Sequence, residues 1–273
     1  TVQTSGALLI QPDTASTSVG IANSSTGSLN LNDTELGNLT DGFSSITIGS
    51  ATGTGDVDVH TVAFTDPTTI QSYGSGGSIG IDGALSVNGS NTLTLRAGGA
   101  IDLSSAGTVS VVDGNLTILA NDNGAGSAIT TGAQFHGLTL NDGDISTTGT
   151  GNIDITIRGG DTSMNNIGLQ ILNGGKIQST STGASAGTIT VDATGGADAV
   201  GIFMNSSGSE ITSVDGNIDV TASSANSDGM TMVSFPNITS TGTGANAANI
   251  VITATSTDTA TFAEGFLMNT ATI

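Results

Sequence analysis

The sequence has no cysteine and no tryptophan, and only three of its 273 residues are lysine or arginine. The absence of cysteine excludes disulfide bonds and thiolate metal sites, and it is compatible with export from a bacterium. The basic residues are Arg96, Arg158 and Lys176. The sequence has 23 acidic residues, so the net charge is −20. Nucleic-acid binding requires basic groups that neutralise phosphates, so we expect no nucleic-acid partner, and anionic lipid is disfavoured for the same reason.

Aromatic residues and long apolar runs are also scarce. With one tyrosine and no tryptophan, the chain has little material for the aromatic platforms on which polysaccharide enzymes hold sugars. No apolar run is long enough to cross a membrane and none resembles a signal peptide, so we expect no membrane insertion. A mean hydropathy of +0.16 and 36% hydrophobic residues still allow a thin, continuous core in one elongated domain.

What the sequence does contain is a repeat. Copies begin about 28 to 36 residues apart, which is a spacing typical of solenoid rungs. Each copy carries three short runs of alternating apolar residues separated by Gly, Ser, Thr, Asn and Asp. The copies open at Gly137 (GLTLNDGDISTTGTGNIDITIRGG), Gly168 (GLQILNGGKIQS), Gly201 (GIFMNSSGSEITSVDGNIDVTA), Gly229 (GMTMVSFPNITS) and Gly265 (GFLMNTATI).

The alternation predicts half-buried strands, because residues two apart on a strand share a face. Three such strands in each copy predict a three-sided parallel β-helix of roughly nine to ten rungs, whose axis rises about 4.8 Å per rung. The third strand of four copies gives a predicted inward column of Ile155, Val191, Val220 and Ile252, with Thr156, Asp192, Thr221 and Thr253 pointing outward. An asparagine corner is predicted after the first strand, formed by Asn141, Asn173, Asn205 and Asn269.

The earlier part of the chain differs in its spacing. We interpret 1–273 as a single β-helix segment with three parts. In the first part, 1–77, Asn32 and Glu35 form a capping-box pattern that predicts a short helical excursion near 32–39. In 78–136 the rungs are tighter, at about 24 residues, and in 137–273 they widen to about 32.

Two stretches of the sequence resemble a known family. GSLNLNDTELGNLTDGFSSITIGSATGTGDVDV followed by FTDPTTIQS is similar to a segment of filamentous-haemagglutinin-like exoproteins and related giant bacterial adhesins. The later GNIDITIRGG and VGIFMNSSGSEITSVDGNIDVTA resemble their repeats. The resemblance implies a right-handed parallel β-helix, two-partner secretion across a Gram-negative envelope, and a role as a cell-surface fibre.

Carboxylates are the candidates for catalysis. Polysaccharide lyases and hydrolases also use parallel β-helices, and they need clustered carboxylates, commonly with Arg or Lys beside them. The pairs available are Asp142 with Asp144, Asp56 with Asp58, and Asp154 with Asp219, which take matching positions two copies apart. Solvated carboxylates on turns and faces explain these pairs better, so we predict a chain with no catalytic and no cofactor-binding residues.

Metal binding is the other chemistry considered. Hard oxygen ligands in turns, at 121–123 (NDN) and 141–144 (NDGD), make calcium possible, although the repeat-in-toxin nonapeptide is absent. His60 and His136 have no acidic partner at metal-ligand spacing in the sequence, so we interpret them as surface residues and predict no metal site.

These observations favour a non-catalytic structural segment of an extracellular bacterial fibre, adhesin or matrix protein. The alternative is a carbohydrate-active β-helix such as a polysaccharide lyase or a phage tailspike. Because neither end shows an obvious polar cap, we expect the 273 residues to belong to a longer chain. The expected partners are further rungs, end-to-end or lateral copies of itself, and a host or neighbouring cell surface.

Overall fold

The chain folds into three parallel sheets that together form a three-sided β-helix. A computed structural model describes residues 1–162, 165–196, 198–257 and 263–273. The first sheet contains nine strands. They are β1 (Ala7–Ile10), β4 (Ser45–Ser50), β7 (Thr68–Ser72), β10 (Leu93–Ala97), β13 (Leu116–Ala120), β16 (Ile153–Arg158), β19 (Ile189–Thr194), β22 (Ile218–Ser224) and β25 (Ile250–Ser256).

The second sheet contains ten strands and the third contains seven. In spatial order, the second sheet is formed by β3 (Leu29–Leu31), β2 (Val19–Ile21), β5 (Val57–Val59), β8 (Ile79–Ile81), β11 (Ile101–Leu103), β14 (Leu138–Asn141), β17 (Leu169–Leu172), β20 (Ile202–Asn205), β23 (Met230–Val233) and β26 (Phe266–Asn269). The third sheet is formed by β6 (Val62–Phe64), β9 (Ala84–Val87), β12 (Thr108–Val111), β15 (Asp144–Thr147), β18 (Lys176–Ser179), β21 (Glu210–Ser213) and β24 (Asn237–Ser240).

One turn of the chain through the sheets is a rung, and the nine strands of the first sheet mark nine rungs. This confirms the predicted architecture. The described residues also form two short helices, α1 (Asp33–Leu36) and a 3₁₀ turn (Gly244–Asn246). Among those residues, no helix has the length and apolar character needed to cross a membrane.

The core is a set of stacked aliphatic columns. Ile155 pairs with Val191, Val191 with Val220, and Val220 with Ile252, as the alternation predicted. The first three side chains are at most 1% exposed. Asp192, on the opposite face of the same strand, is exposed. Fully burying an aliphatic side chain contributes about 1.5–3 kcal/mol before entropy is subtracted, so the core grows with every rung added.

Each repeat copy after Gly137 begins with glycine, because the backbone of the next rung leaves no room for a side chain at that position. A Cβ on Gly168 would lie 2.6 Å from the carbonyl oxygen of Gly201, and a Cβ on Gly201 would lie 2.6 Å from that of Gly229. Real Cβ atoms do not approach a backbone oxygen so closely. The glycines that marked the repeat in the sequence therefore form a column of their own at one corner.

The predicted asparagine corner is interrupted at Asn173. Asn141, Asn205 and Asn269 share one register position with Leu172 and Val233. Asn141 pairs with Leu172, and Asn173 therefore follows one position later. Asn173 shares its position with Asp142, and both have a positive φ (55° and 60°), which short polar side chains tolerate. One amide contact of the predicted kind exists, from Asn173 Nδ2 to Asn141 Oδ1 at 2.6 Å.

A more regular asparagine column precedes the strands of the first sheet. The Asn115 side-chain oxygen accepts from the Asn152 backbone N–H at 3.0 Å, and that of Asn217 accepts from Asn249 at 2.9 Å. The Asn152 side chain likewise accepts from Thr188 N–H at 3.0 Å. These bonds connect one rung to the next at the corner where the third sheet gives way to the first.

The amino-terminal end carries a partial cap, although no cap was expected at either end. Strand β3 pairs with the outer edge of β2 and extends the second sheet by one strand beyond the first rung. The predicted helical excursion is confirmed as α1, whose Asn32 and Glu35 make both bonds of a capping box. Leu36 and Leu39 pack against the core from this excursion.

The carboxyl-terminal end is more open among the described residues. In β25 the inward Ile250, Ile252 and Ala254 are only half-buried. Met268, which continues a column that is buried at Met232, is 49% exposed. At the other end, Leu8 and Ile10 of β1 are half-buried in the same way, so the two ends differ by the extra strand β3 of the second sheet and not by the burial of the first sheet.

Candidate functional site

The chain's three cationic side chains are all engaged by other side chains. Arg158 Nε contacts the buried carboxylate of Asp122 at 2.6 Å, and Lys176 Nζ contacts Glu210 at 3.4 Å. The Arg96 guanidinium stacks over the Tyr73 ring at 3.9 Å from its centroid. Each of the three cations thus already contacts a side chain of the same chain.

Asp154 and Asp219 lie in one column of the first sheet, as predicted, with Thr190 between them. Two strand spacings, about 9.6 Å, separate their backbones. Burial raises the pKa of Asp154, and a hydrogen bond with Thr190 opposes that rise. Neither carboxylate has a cationic partner among the described residues. The pair therefore has no neighbouring Arg or Lys of the kind that commonly accompanies such carboxylates in polysaccharide lyases and hydrolases.

Asp142 and Asp144 belong to a row of charges on the third sheet. Asp144, Lys176 and Glu210 take the same position on three successive strands. Burial is the main reason that the pKa of Asp144 is raised, the Lys176 charge lowers it, and Asp142 raises it further. A row of alternating charges stabilises the pairing of strands, which is a structural role.

The oxygens at 121–123 are already used by the protein. Asn121 accepts from the N–H groups of Ile129 and Thr130, and Asn123 accepts from those of Ala125 and Ser127. Asp122 accepts from Gly124 N–H and from Arg158. These contacts order the loop that follows β13, so the structure does not support calcium at this position.

His136 lies beside Asp102 on the outside of the second sheet. Burial lowers the pKa of His136 and raises the pKa of Asp102, and each group's charge partly opposes the shift of the other. The His136 Nδ1 atom accepts the backbone N–H of Ile167 at 3.3 Å. The imidazole thus holds the following rung in place.

A cavity of about 300 Å³ lies between the amino-terminal excursion and the free edge of β6. Leu36, Leu39, Val62 and Phe64 contribute to its wall. Its two carboxylates are hydrogen-bonded, because Asp33 accepts from Asn23 and Asp66 accepts from Gly42 N–H. The cavity is a packing gap under the cap and contains no acid–base pair.

The structure corrects the interpretation of His60. Within the described residues, one group of three metal-ligand side chains is found: Asp58, His60 and Asp82, whose ligand atoms all lie within 4.8 Å of one another. Asp58 and His60 are two residues apart on the outer face at β5. Asp82 follows β8 and lies over His60, because Val59 pairs with Ile81. The predicted partner of Asp58, Asp56, instead accepts the Ser78 hydroxyl.

Comparison with known proteins adds no relative to this description. The chain matches no family model, no curated protein and no solved structure.

Proposed function

We propose that this chain is a non-catalytic structural segment of an extracellular bacterial fibre, adhesin or matrix protein. The observation that supports this most is the uninterrupted register of the three sheets. Strands of the first sheet pair in parallel from β1 to β25, so that sheet has no break along the axis. Such a continuous prism resists bending and holds its two ends at a fixed distance, as a spacer requires.

The outer surface supports the same proposal. Many outward positions carry Thr, Ser, Asp or Asn, and the net charge of −20 favours solubility. The alternative, a carbohydrate-active β-helix, has less support, because the predicted carboxylate pairs have no free cation beside them. Secretion by a two-partner route and a Gram-negative cell surface are part of the proposal through the resemblance to haemagglutinin-like exoproteins.

Surface labelling tests this function. Antibodies raised against the purified chain should label intact cells that express the native protein, and external protease should remove the label. Antibodies against a cytoplasmic enzyme serve as the control and should label only permeabilised cells. Labelling that requires permeabilisation would contradict an extracellular fibre.

An activity assay tests the alternative. The purified chain should release no unsaturated or reducing ends from a panel of neutral and acidic polysaccharides. Any activity found should be measured again in the variant with Asp154→Asn and Asp219→Asn. A product that this double variant fails to release would establish the catalytic alternative.

A further inference from the structure

We infer that Asp58, His60 and Asp82 form a binding site for a divalent first-row transition cation such as zinc. The three side chains supply one imidazole nitrogen and two carboxylate oxygens. Zinc accepts this donor set, whereas calcium prefers oxygen ligands alone. The site lies outside the proposed fibre function and does not depend on it.

The register of the β-helix brings the ligands together. The Asp82 N–H donates to the Val59 carbonyl at 2.9 Å, and the His60 N–H donates to that of Ile21, also at 2.9 Å. These backbone bonds place successive rungs one above the other, so that His60 and Asp82 are neighbours. The same strand presents Asp58 on the face that carries His60, because residues two apart share a face.

Asp58 is oriented as a metal ligand normally is. Its Oδ2 atom accepts the Thr26 N–H at 2.6 Å and the Thr26 hydroxyl at 2.8 Å. Its Oδ1 atom is buried and has no hydrogen-bond partner, and it lies 3.7 Å from His60 Nε2. A buried carboxylate oxygen without a donor is costly, and a cation between it and the imidazole would remove that cost.

The spacing leaves room for an ion. Ligand atoms around a tetrahedral zinc lie about 3.4 Å apart at bond lengths of about 2.1 Å. The Asp58–His60 separation of 3.7 Å is already close to that value. Asp82 is exposed, so its side chain is free to close the remaining distance. Water would complete the coordination on the solvent side.

The net charge of −20 attracts cations without any site, so the experiment separates specific from general binding. Untagged protein is titrated with zinc by calorimetry in the presence of excess calcium, which competes for scattered carboxylates. We expect one saturable zinc per chain. We also expect zinc to raise the melting temperature, because a ligand that binds only the folded state stabilises it.

Matched variants identify the ligands. Asp82→Asn changes an exposed side chain and should weaken zinc binding by more than about tenfold, as should His60→Gln. Thr26→Val removes one of the two donors to Asp58 and should weaken binding by about tenfold. Asp192→Asn removes an exposed carboxylate elsewhere and should leave it unchanged.

Two results would overturn the inference. One is the absence of a saturable zinc site in the presence of calcium. The other is equal zinc affinity in Asp82→Asn and Asp192→Asn, which would show that only the overall negative charge attracts the ion. Because Asp82 is exposed, its variant remains informative even if His60→Gln does not fold.

Discussion

The sixth and ninth rungs carry the same alternating pattern in the first sheet, yet their core positions are buried to different extents. Ile155 is 1% exposed, whereas Ile252, in the same column, is only half-buried. The side chains point in the same direction in both rungs. The difference is that Ile155 has a rung on each side, while the described residues cover Ile252 on one side. In a solenoid, the apolar–polar alternation along a strand determines which way a side chain points, and the adjacent rungs determine how deeply it is buried.

At the amino-terminal end, a short segment of the chain takes the place of a neighbouring rung. Strand β3 contributes three residues and α1 contributes one helical turn, and Leu36 and Leu39 pack against the core from there. The cover is partial, since Leu8 and Ile10 of β1, at the edge of the first sheet, are only half-buried. Four predictions test how far neighbours, rather than sequence pattern, determine stability.

The largest expected effect is an aspartate in the middle of the core. Ile155→Asp should lower the free energy of unfolding by more than about 4 kcal/mol, because it buries an unpaired charge. Ile252→Asp should cost clearly less, since water reaches that position. Urea denaturation midpoints measure both, with the exposed Asp192→Asn as the control. Similar losses for the two isoleucines would contradict the role assigned to neighbours.

The cap should give the next largest effect. Replacing both Leu36 and Leu39 by Ala should cost about 1–3 kcal/mol, because both side chains are half-buried against the core. Leu9→Ala is the matched control, since Leu9 is 56% exposed. Urea denaturation compares them. If the double variant unfolds at the same urea concentration as the control, the excursion does not stabilise the amino-terminal end.

A smaller effect is expected from a half-buried carboxylate. Burial raises the pKa of Asp154, so the folded state disfavours the charged form and loses stability at pH values above that raised pKa. Asp154→Asn should therefore raise the melting temperature at pH 7, and the gain should shrink as the pH falls towards 4.

The control for that experiment lies in the same column. Asp219 is exposed, and Asp219→Asn should change the melting temperature little across this pH range. A gain for Asp154→Asn that persists unchanged at pH 4 would show that ionisation is not its cause.

The smallest expected effect on stability is at the open end, where the change should appear in association. Met268→Lys places a charge on an exposed apolar position at the same end of the β-helix as the half-buried β25. It should reduce self-association in sedimentation velocity without lowering the melting temperature by more than a few degrees. Leu9→Lys, at an exposed leucine of the other end, should leave association unchanged. Equal sedimentation of both variants would show that the open end does not mediate contacts.

Most of the fold was predictable because two simple signals describe it. Period-two alternation located the strands from β8 onward, and the capping box at Asn32 located α1. Strand β2 (VGI) was not predicted, because the strand it pairs with, β5, follows 38 residues later and not at the regular rung spacing. The turn at 60–61 between β5 and β6 is only two residues long, so the corner there was not predicted either. The asparagine column is confirmed for Asn141, Asn205 and Asn269, and it is wrong for Asn173, which lies one residue beyond that register position.

The Asp58–His60–Asp82 group was missed for a different reason. Its ligands come from successive rungs, so their proximity depends on the register between VDVH and IGID, which are separated in the sequence. Aligning the ends of these two strands would have placed His60 beside Asp82. The same alignment would not have shown the unpartnered Oδ1 atom of Asp58, because the orientation of that carboxylate depends on the bonds from Thr26, between β2 and β3, to its other oxygen.

The direction of the hydrogen bonds has a mechanical consequence. Bonds between rungs run along the axis, so tension applied to the chain's two ends loads them a strand at a time rather than all together. The β-helix should then lengthen in steps, one rung at a time. Each released rung of about 30 residues would add about 100 Å of extended chain. Such a segment would be rigid under small loads and would extend under large ones as successive rungs unfold.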